Sequence, residues 1–574
     1  MQDRAVPTDS FLGVPAAADQ RSIAWHWLVL ALVCALVLAN YLSDFGSLTD
    51  HEVLVGGMAH QMARDGTWGQ LLIGDHDWLE KPPLPQWLAA LSLEAFGAPP
   101  GAPEREWAVR LPSVLEGIAM VLLLAGLARY LYGPAVGLLA GLIATTMHGL
   151  FIYARLAEGE MALCLTVVAG LAAAARALDA PPASAEFRRW RFLFWVAVGA
   201  ANLIKGPLFG DLLMGGALFA YCLWQRDWRL PLRLFSPSGL AVAAALALAW
   251  PLWMGSRGEL QLLLDQWIGD FAGRFQDSAY HDETPPWYYL EAIAGHLLPW
   301  SPLLLLALPL AWRRQREAAR RGATGPSFNR ERYLLCWAFA PIVLLSLATH
   351  RHHHYVLPML PPQAILLAAA LPALWSWLAA REMLRRAWLP LLLLAVAVGL
   401  AAAVLLLDDD PEIGPFALAF GLAGIAGTVA LAAALRFGRT AMPAASALLA
   451  LLAALFWVFG SGFIPRNDPS ASDTAFLLRV DAQVPPEARL VLAGGLAVAR
   501  FDFYIGRPAE GLWNPRSLPQ QVEPGETLYV VTRGAWEPAL EELGRMERLD
   551  RSPLSRFGPD PEMLYGLYRV EVAD

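Results

Sequence analysis

Apolar residues along the chain come in blocks of about 20, the length a helix needs to cross a bilayer. The blocks fall near 24–42, 111–131, 134–153, 160–178, 191–204, 207–224, 239–254, 292–311, 333–348, 356–378, 387–407, 414–435 and 441–461. They predict about thirteen spans. Residues 1–22 are polar and rich in Pro and Ala, which predicts a disordered tail. Between the first two blocks, residues 43–110 carry a finer pattern. "HEVLVGGMAHQMARDG" and "PLPQWLAALSLEAFG" place apolar residues at helical spacing with polar residues opposite. Such segments predict helices lying in the interface plane. A second long connection spans 255–291 and is rich in Asp, Arg and aromatic residues. From 465 to 574 the pattern changes again. "ARLVLAGG", "RFDFYIG", "TLYVVTRG" and "YGLYRVEV" read as short strands, and "EPALEELGRM" as a helix. The expected architecture is an α-helical polytopic membrane protein, with a membrane domain over 23–464 and a small α/β domain over 465–574.

Composition agrees with that class. Of 574 residues 56% are hydrophobic and 16% charged, against roughly 25% charged in soluble domains. Counted from a cytoplasmic N-terminus, the connections after even-numbered spans each carry Arg, as in "RRQREAARRGATGPSFNRER" and "AAREMLRRAW". The opposite connections hold acids, histidines and isolated lysines, as in "RLAEGE", "LIKGP", "ATHRHHHY" and "LDDDPEIG". This positive-inside alternation predicts a multi-pass membrane protein with its N-terminus on the cytoplasmic side and its C-terminal domain outside. The first block lacks a small-residue cleavage site, so it reads as a retained span. A net charge of −8 gives no sign of a nucleic-acid partner. The four cysteines all lie in apolar runs, without metal-site or disulfide spacing.

The unusual polar residues gather at span ends and in outside loops. They are Asp50, His51 and Glu52 in "TDHE"; Glu80 and Lys81 in "LEKPPLP"; Arg155, Glu158 and Glu160 in "YARLAEGEM"; Lys205 in "LIKGP"; Arg274 and His281 in "GRFQDSAYHDE"; and His350, His352, His353, His354 and Tyr355 in "HRHHHY". Each has a structural explanation. The acids of "TDHE" suit a helix N-terminus, and the prolines of "EKPPLP" suit a rigid helix entry. Lys205 suits snorkelling to the interface, and "HRHHHY" suits a solvated loop. Their joint placement suits a reaction. A carboxylate takes a proton from an acceptor hydroxyl, while Lys, Arg or a metal neutralises a phosphate leaving group at headgroup depth.

These stretches also resemble a family. "TDHEVLVGGMAHQMARDGTW", "LEKPPLPQWLAALSLEAFG", "RLPSVLEGIAMVLLLAGLARYLYG", "YARLAEGEMALCLTVVAG", "LIKGP", "RFQDSAYHDETPPWYYL" and "HHHYVLPMLPP" occur in the order seen in bacterial GT-C glycosyltransferases. These are the protein O-mannosyltransferase-like enzymes that include the lipid A aminoarabinose transferase. The resemblance implies a GT-C fold and transfer of a sugar from a polyprenyl-phosphate donor to a periplasmic acceptor, whether lipid A, another glycolipid, a polymer or a protein. It implies a first catalytic acid at Asp50 or Glu52, the family's pair being split here by His51, with Asp50 narrowly favoured. It implies a second acid at Glu160, where the family has Asp. Lys81, Arg155, Lys205, Arg274 and Tyr355 would bind donor phosphate. Glu80, with His281, would serve a divalent metal (Zn, Mg or Mn). The aminoarabinose enzyme's metal-binding His maps onto Asp270 or Phe271, and Leu54 stands where it has an Arg, which counts against aminoarabinose as the sugar.

A transporter or flippase of a lipid-linked substrate is the alternative. It predicts ionisable residues lining a path through the spans, yet span interiors are nearly free of charge, Asp211 in "FGDLLM" excepted. No internal repeat supports it.

Overall fold

The computed structural model describes residues 20–40, 42, 47–74, 76–97, 105–273, 284–285, 287–321, 328–348, 351–395, 397–398, 414–437, 441–458, 470–506, 509–512, 514–552, 562 and 564–573. The chain divides into two compact units. One comprises 1–40, 113–155 and 159–459; the other comprises 41–112, 156–158 and 460–574.

The first unit is helical, and every predicted apolar block overlaps helical residues. Five helices among the described residues are long and apolar enough to cross a bilayer alone, among them Glu160–Asp179, Pro237–Ser256 and His353–Ala379. This is a helical polytopic membrane protein. Two predicted spans are broken, each for a local physical reason. The block at 134–153 divides into Pro134–Thr145 and His148–Tyr153. There the Thr145 and Thr146 hydroxyls donate to the Gly141 and Leu142 carbonyls at 2.9 Å, competing with the helix ladder. The block at 292–311 bends by 107° between Tyr288–His296 and Ser301–Arg320, at the proline of "LLPW". The segment His353–Ala379 is the most enclosed, with 83% of its apolar window buried. It opens as a 3-10 turn, His353–Met359, inside a proline-rich stretch. Carbonyls left over there are taken up by side chains, as when Trp337 Nε1 donates to Pro358 O at 2.9 Å. That turn fixes His353, His354 and Tyr355 at the end of a span.

The second unit joins the first long connection to the C-terminal domain. Its mixed sheet contains β3 (Leu490–Ala493), β4 (Glu510–Leu512), β5 (Thr527–Arg533), β6 (Gly544–Arg551) and β7 (Tyr565–Val572) in the order β4-β3-β5-β7-β6; a small ribbon pairs β1 (Leu72–Ile73) with β2 (His76–Asp77). Strands β3, β4 and β5 run parallel, and β7 is antiparallel to β5 and β6. The stretch "RFDFYIG", expected as a strand, belongs instead to helix Gly495–Tyr504. Its alternation is real, but parallel strands β3 and β4 require a crossover, and this helix supplies it. Helix Asp50–Asp65 does not lie with its apolar face open to lipid. Gly56 and Gly57 bring it against Phe503 and Ala499 so closely that a Cβ on Gly57 would sit 3.0 Å from the Ala499 carbonyl. Helix Leu84–Phe96 keeps Leu91 and Phe96 exposed, so an apolar face remains.

Candidate active site

"TDHE" does cap a helix. Thr49 Oγ1 accepts the Glu52 N–H at 3.2 Å, and the Glu52 carboxylate accepts the Thr49 N–H at 3.0 Å, a reciprocal capping box. Glu52 is committed further. Its Oε1 accepts from Arg110 Nε at 2.8 Å and from Ala157 N at 3.0 Å, and its Oε2 accepts from Arg110 Nη2 at 2.9 Å. Both side chains are essentially fully buried. A forked guanidinium and two backbone donors fix the plane of this carboxylate. Asp50, at the first turn of the same helix, retains 19% of its side-chain exposure and accepts from Arg500 Nη2 at 3.1 Å. Arg500 is itself buried and anchored on the Leu48 carbonyl at 2.8 Å. Thr49 Oγ1 also donates to Glu158 at 3.2 Å, and His51 is exposed. Tyr504 reinforces the same corner, accepting from Leu48 N at 2.8 Å and donating to Glu106 at 2.5 Å.

Lys81 and Glu80 stand in the same unit as a loose pair, 3.9 Å apart and 30% and 49% exposed. The prolines after them do open helix Leu84–Phe96. Among the described residues no group of three or more His, Cys, Asp or Glu is arranged to hold a metal ion. Glu80 therefore offers one carboxylate of a metal set that the described residues do not complete. His281 and Arg274 lie outside the described residues, and so does His350.

In the helical unit, Glu160, Lys205 and Tyr355 come together from three separate stretches. Glu160 begins helix Glu160–Asp179, behind Gly159 at φ 79°, a left-handed backbone where a side chain is strained. Its carboxylate thus lies at the positive end of a helix dipole. Lys205 Nζ bonds Glu160 Oε1, both side chains being buried. The same ammonium stands 4.4 Å from the Tyr355 ring centroid and 5.3 Å from that of Phe209. His354 Nε2 approaches the same Glu160 oxygen at 3.5 Å, with 17% of its side chain exposed. Lys205 does not snorkel. Arg155 is wholly buried, bonded to the Asn40 carbonyl and stacked over Phe151 with its guanidinium carbon 4.9 Å from the ring centroid. Asp211 accepts from Asn202 Nδ2 at 2.9 Å in the turn that carries Lys205, so a local bond explains this intramembrane acid. Nearby, His296 Nε2 and His353 Nδ1 are 3.0 Å apart and line a cavity of about 560 Å³ together with Phe420, Leu452, Leu455 and Phe456.

Arg110 and Arg500 were given no role by the pattern of the sequence. Arg110 sits inside the "RLPS" signature, and an Arg entering an apolar block is the signal it offered. Arg500 lay in the stretch that alternates like a strand.

Comparison with known proteins agrees with the resemblance read from the motifs. Residues 80–254 match the family described as dolichyl-phosphate-mannose-protein mannosyltransferase. The chain is 31% identical over 351 residues to an undecaprenyl phosphate-alpha-4-amino-4-deoxy-L-arabinose arabinosyl transferase of Pseudomonas aeruginosa, covering 60% of this chain and 59% of that enzyme. The Erwinia tasmaniensis enzyme of the same name is 28% identical over 321 residues, 55% of this chain and 54% of its own. The match thus spans less than two thirds of these relatives' length. The crystal structure of ArnT from Cupriavidus metallidurans superposes with a TM-score of 0.72 at 21% identity, covering 95% of this chain and 98% of that one. Its undecaprenyl phosphate-bound form gives 0.71 at 20% identity, covering 96% and 98%. The fold is shared over most of both chains.

Proposed function

Taking the chain as a GT-C-type relative of these transferases, we propose that it is a membrane glycosyltransferase. It moves a sugar from a polyprenyl-phosphate donor to an acceptor at the periplasmic face of the inner membrane, with inversion. The observation that carries this reading is the buried cluster of Glu160, Lys205 and Tyr355, with a cation beside a phenol at a span end. The relatives' names make 4-amino-4-deoxy-L-arabinose the first sugar to assay, and the motif resemblance makes lipid A the first acceptor. The topology proposed is thirteen crossings, N-terminus inside and the sheet domain in the periplasm.

In this reading Asp50 is the base. Glu52 has every oxygen engaged by fixed donors, so protonating it would forfeit several charge-assisted bonds. Asp50 retains exposure, and its Arg500 partner aims it without enclosing it. The carboxylate withdraws the acceptor's proton as the acceptor oxygen attacks the anomeric carbon. The bond to the donor phosphate breaks, and negative charge grows on that phosphate. Lys205 and Lys81 are the cations offered to it, with Tyr355 as a hydroxyl donor. The apolar cavity suits an aliphatic chain.

The test is transfer in proteoliposomes with a labelled polyprenyl-phosphate sugar, comparing wild type with Lys205→Met and Asp50→Asn. Release of polyprenyl phosphate by wild type and its loss in both variants supports the reading. Undiminished transfer by either variant removes that residue from it. Lipid translocation without sugar transfer would favour a flippase.

A further inference from the structure

We propose that His354 is a positioning residue that, when protonated, takes Glu160 as its own partner and so frees the Lys205 ammonium for the donor phosphate. This deepens the reading above and rests on it. The difficulty it answers is electrostatic. A lysine buried against a carboxylate is already neutralised, and the Lys205–Glu160 pair carries no net charge with which to meet an anion. A phosphate entering there must compete with Glu160 for the ammonium, and in a site of low dielectric that competition is severe.

The geometry contains a third group that changes the balance. His354 Nε2 and Lys205 Nζ address the same atom, Glu160 Oε1. With a neutral imidazole the three groups sum to zero; with an imidazolium they sum to +1. Imidazole is the side chain whose charge changes between about pH 5 and 8. The ring is held in place by its neighbours. It stacks on His352 at 5.3 Å with planes 18° apart, and meets Tyr355 edge-on at 4.9 Å and Tyr153 at 5.7 Å. His353 lies at 5.6 Å, edge-on, and is in turn bonded to His296. Among the described groups named around His354, Glu160 is the anion, Lys205 the fixed cation, and the tyrosines and histidines are the remaining titratable groups. Of this histidine run, it is His354 whose Nε2 is placed 3.5 Å from Glu160 Oε1. A proton on His354 therefore has the most direct effect on the Lys205–Glu160 pair.

The experiment measures binding of undecaprenyl phosphate to the full-length protein in nanodiscs, between pH 8 and pH 6, with sugar transfer followed in parallel. The probe's own titration is common to all variants, so the difference between proteins is what counts. Wild type should gain about tenfold more affinity over this range than His354→Gln, as expected for one linked proton. His354→Arg, which keeps a permanent cation near Glu160, should bind tightly throughout and lose the pH dependence. Melting temperatures close to wild type exclude a folding defect in either variant. If His354→Gln keeps the wild-type slope while wild type binds and transfers normally, the role given to His354 is wrong and the proposed function stands. If wild type neither binds the lipid phosphate nor transfers sugar, the proposed function falls first, and this inference with it.

Discussion

Glu52 and Glu160 are both buried glutamates beside a helix N-terminus, and they are built for opposite purposes. Glu52 is saturated: Arg110 grips it from two nitrogens, two backbone N–H groups complete it, and all four donors are fixed by the fold. Glu160 has a flexible ammonium and an imidazole converging on one oxygen. The first arrangement is rigid and holds the "TDHE" turn in one shape. The second can redistribute its partners when charge or ligand changes. A buried carboxylate is thus read by its donors, not by its burial.

The largest expected effect falls on the rigid site. Arg110→Met leaves Glu52 buried without its partner, and breaking such a pair costs roughly 3–5 kcal/mol. The double variant Arg110→Met/Glu52→Leu should recover much of that loss, since both charges are gone. Thermal unfolding in detergent measures both. If Arg110→Met unfolds like wild type, the pair does not support the turn.

Asp50→Asn tests the catalytic side of the comparison. General-base removal typically lowers rates by roughly 10²–10⁴, and transfer should fall by about that factor. Stability should change by only about 1 kcal/mol, because Asn keeps an oxygen for Arg500 and the side chain is partly exposed. Glu52→Gln should do the reverse, losing stability first and activity as a consequence. A Glu52→Gln variant that melts normally but is inactive would move the base from Asp50 to Glu52.

These contrasts also show where the sequence was legible. The helical membrane class was readable because bilayer thickness imposes a minimum length on a span, and each apolar block overlaps helical residues. The breaks at Thr145–Thr146 and at "LLPW" were not, since a hydropathy run does not register a hydroxyl turned onto its own carbonyl. Glu160, Lys205 and Tyr355 stood out as ionisable or phenolic residues at span ends, and they do meet. Their meeting depends on helix packing, which no local pattern encodes. Arg500 was hidden for another reason. Its stretch alternates like a strand, and only the parallel pairing of β3 with β4 demands the helix.

A pH dependence of stability belongs to the unit that holds Glu52. His60, on the same helix, contacts Arg105, and burial together with that positive charge pushes its imidazole from 6.5 down to about 4. Folded His60 stays neutral where the unfolded chain is already protonated. The stability it contributes is therefore present above pH 6.5 and is lost as pH falls toward 4, by at most roughly 3 kcal/mol. His60→Gln should flatten the dependence of melting temperature on pH between 7 and 4.5. A wild-type slope in that variant would assign the acid sensitivity to another group.

The smallest effect is the most discriminating. Thr49→Ala removes the hydroxyl that accepts the Glu52 N–H and donates to Glu158, but leaves the Arg110–Glu52 pair and the Asp50–Arg500 pair untouched. Loss of an N-cap hydroxyl costs typically about 1 kcal/mol. If "TDHE" served only to cap a helix, transfer should track that small loss and stay near wild type per folded molecule. If Asp50 is the base, the cap also sets the direction of its carboxylate, and loosening the turn should cut kcat severalfold at unchanged donor KM. Equal kcat in Thr49→Ala and wild type would show that the two arginines alone aim the acid.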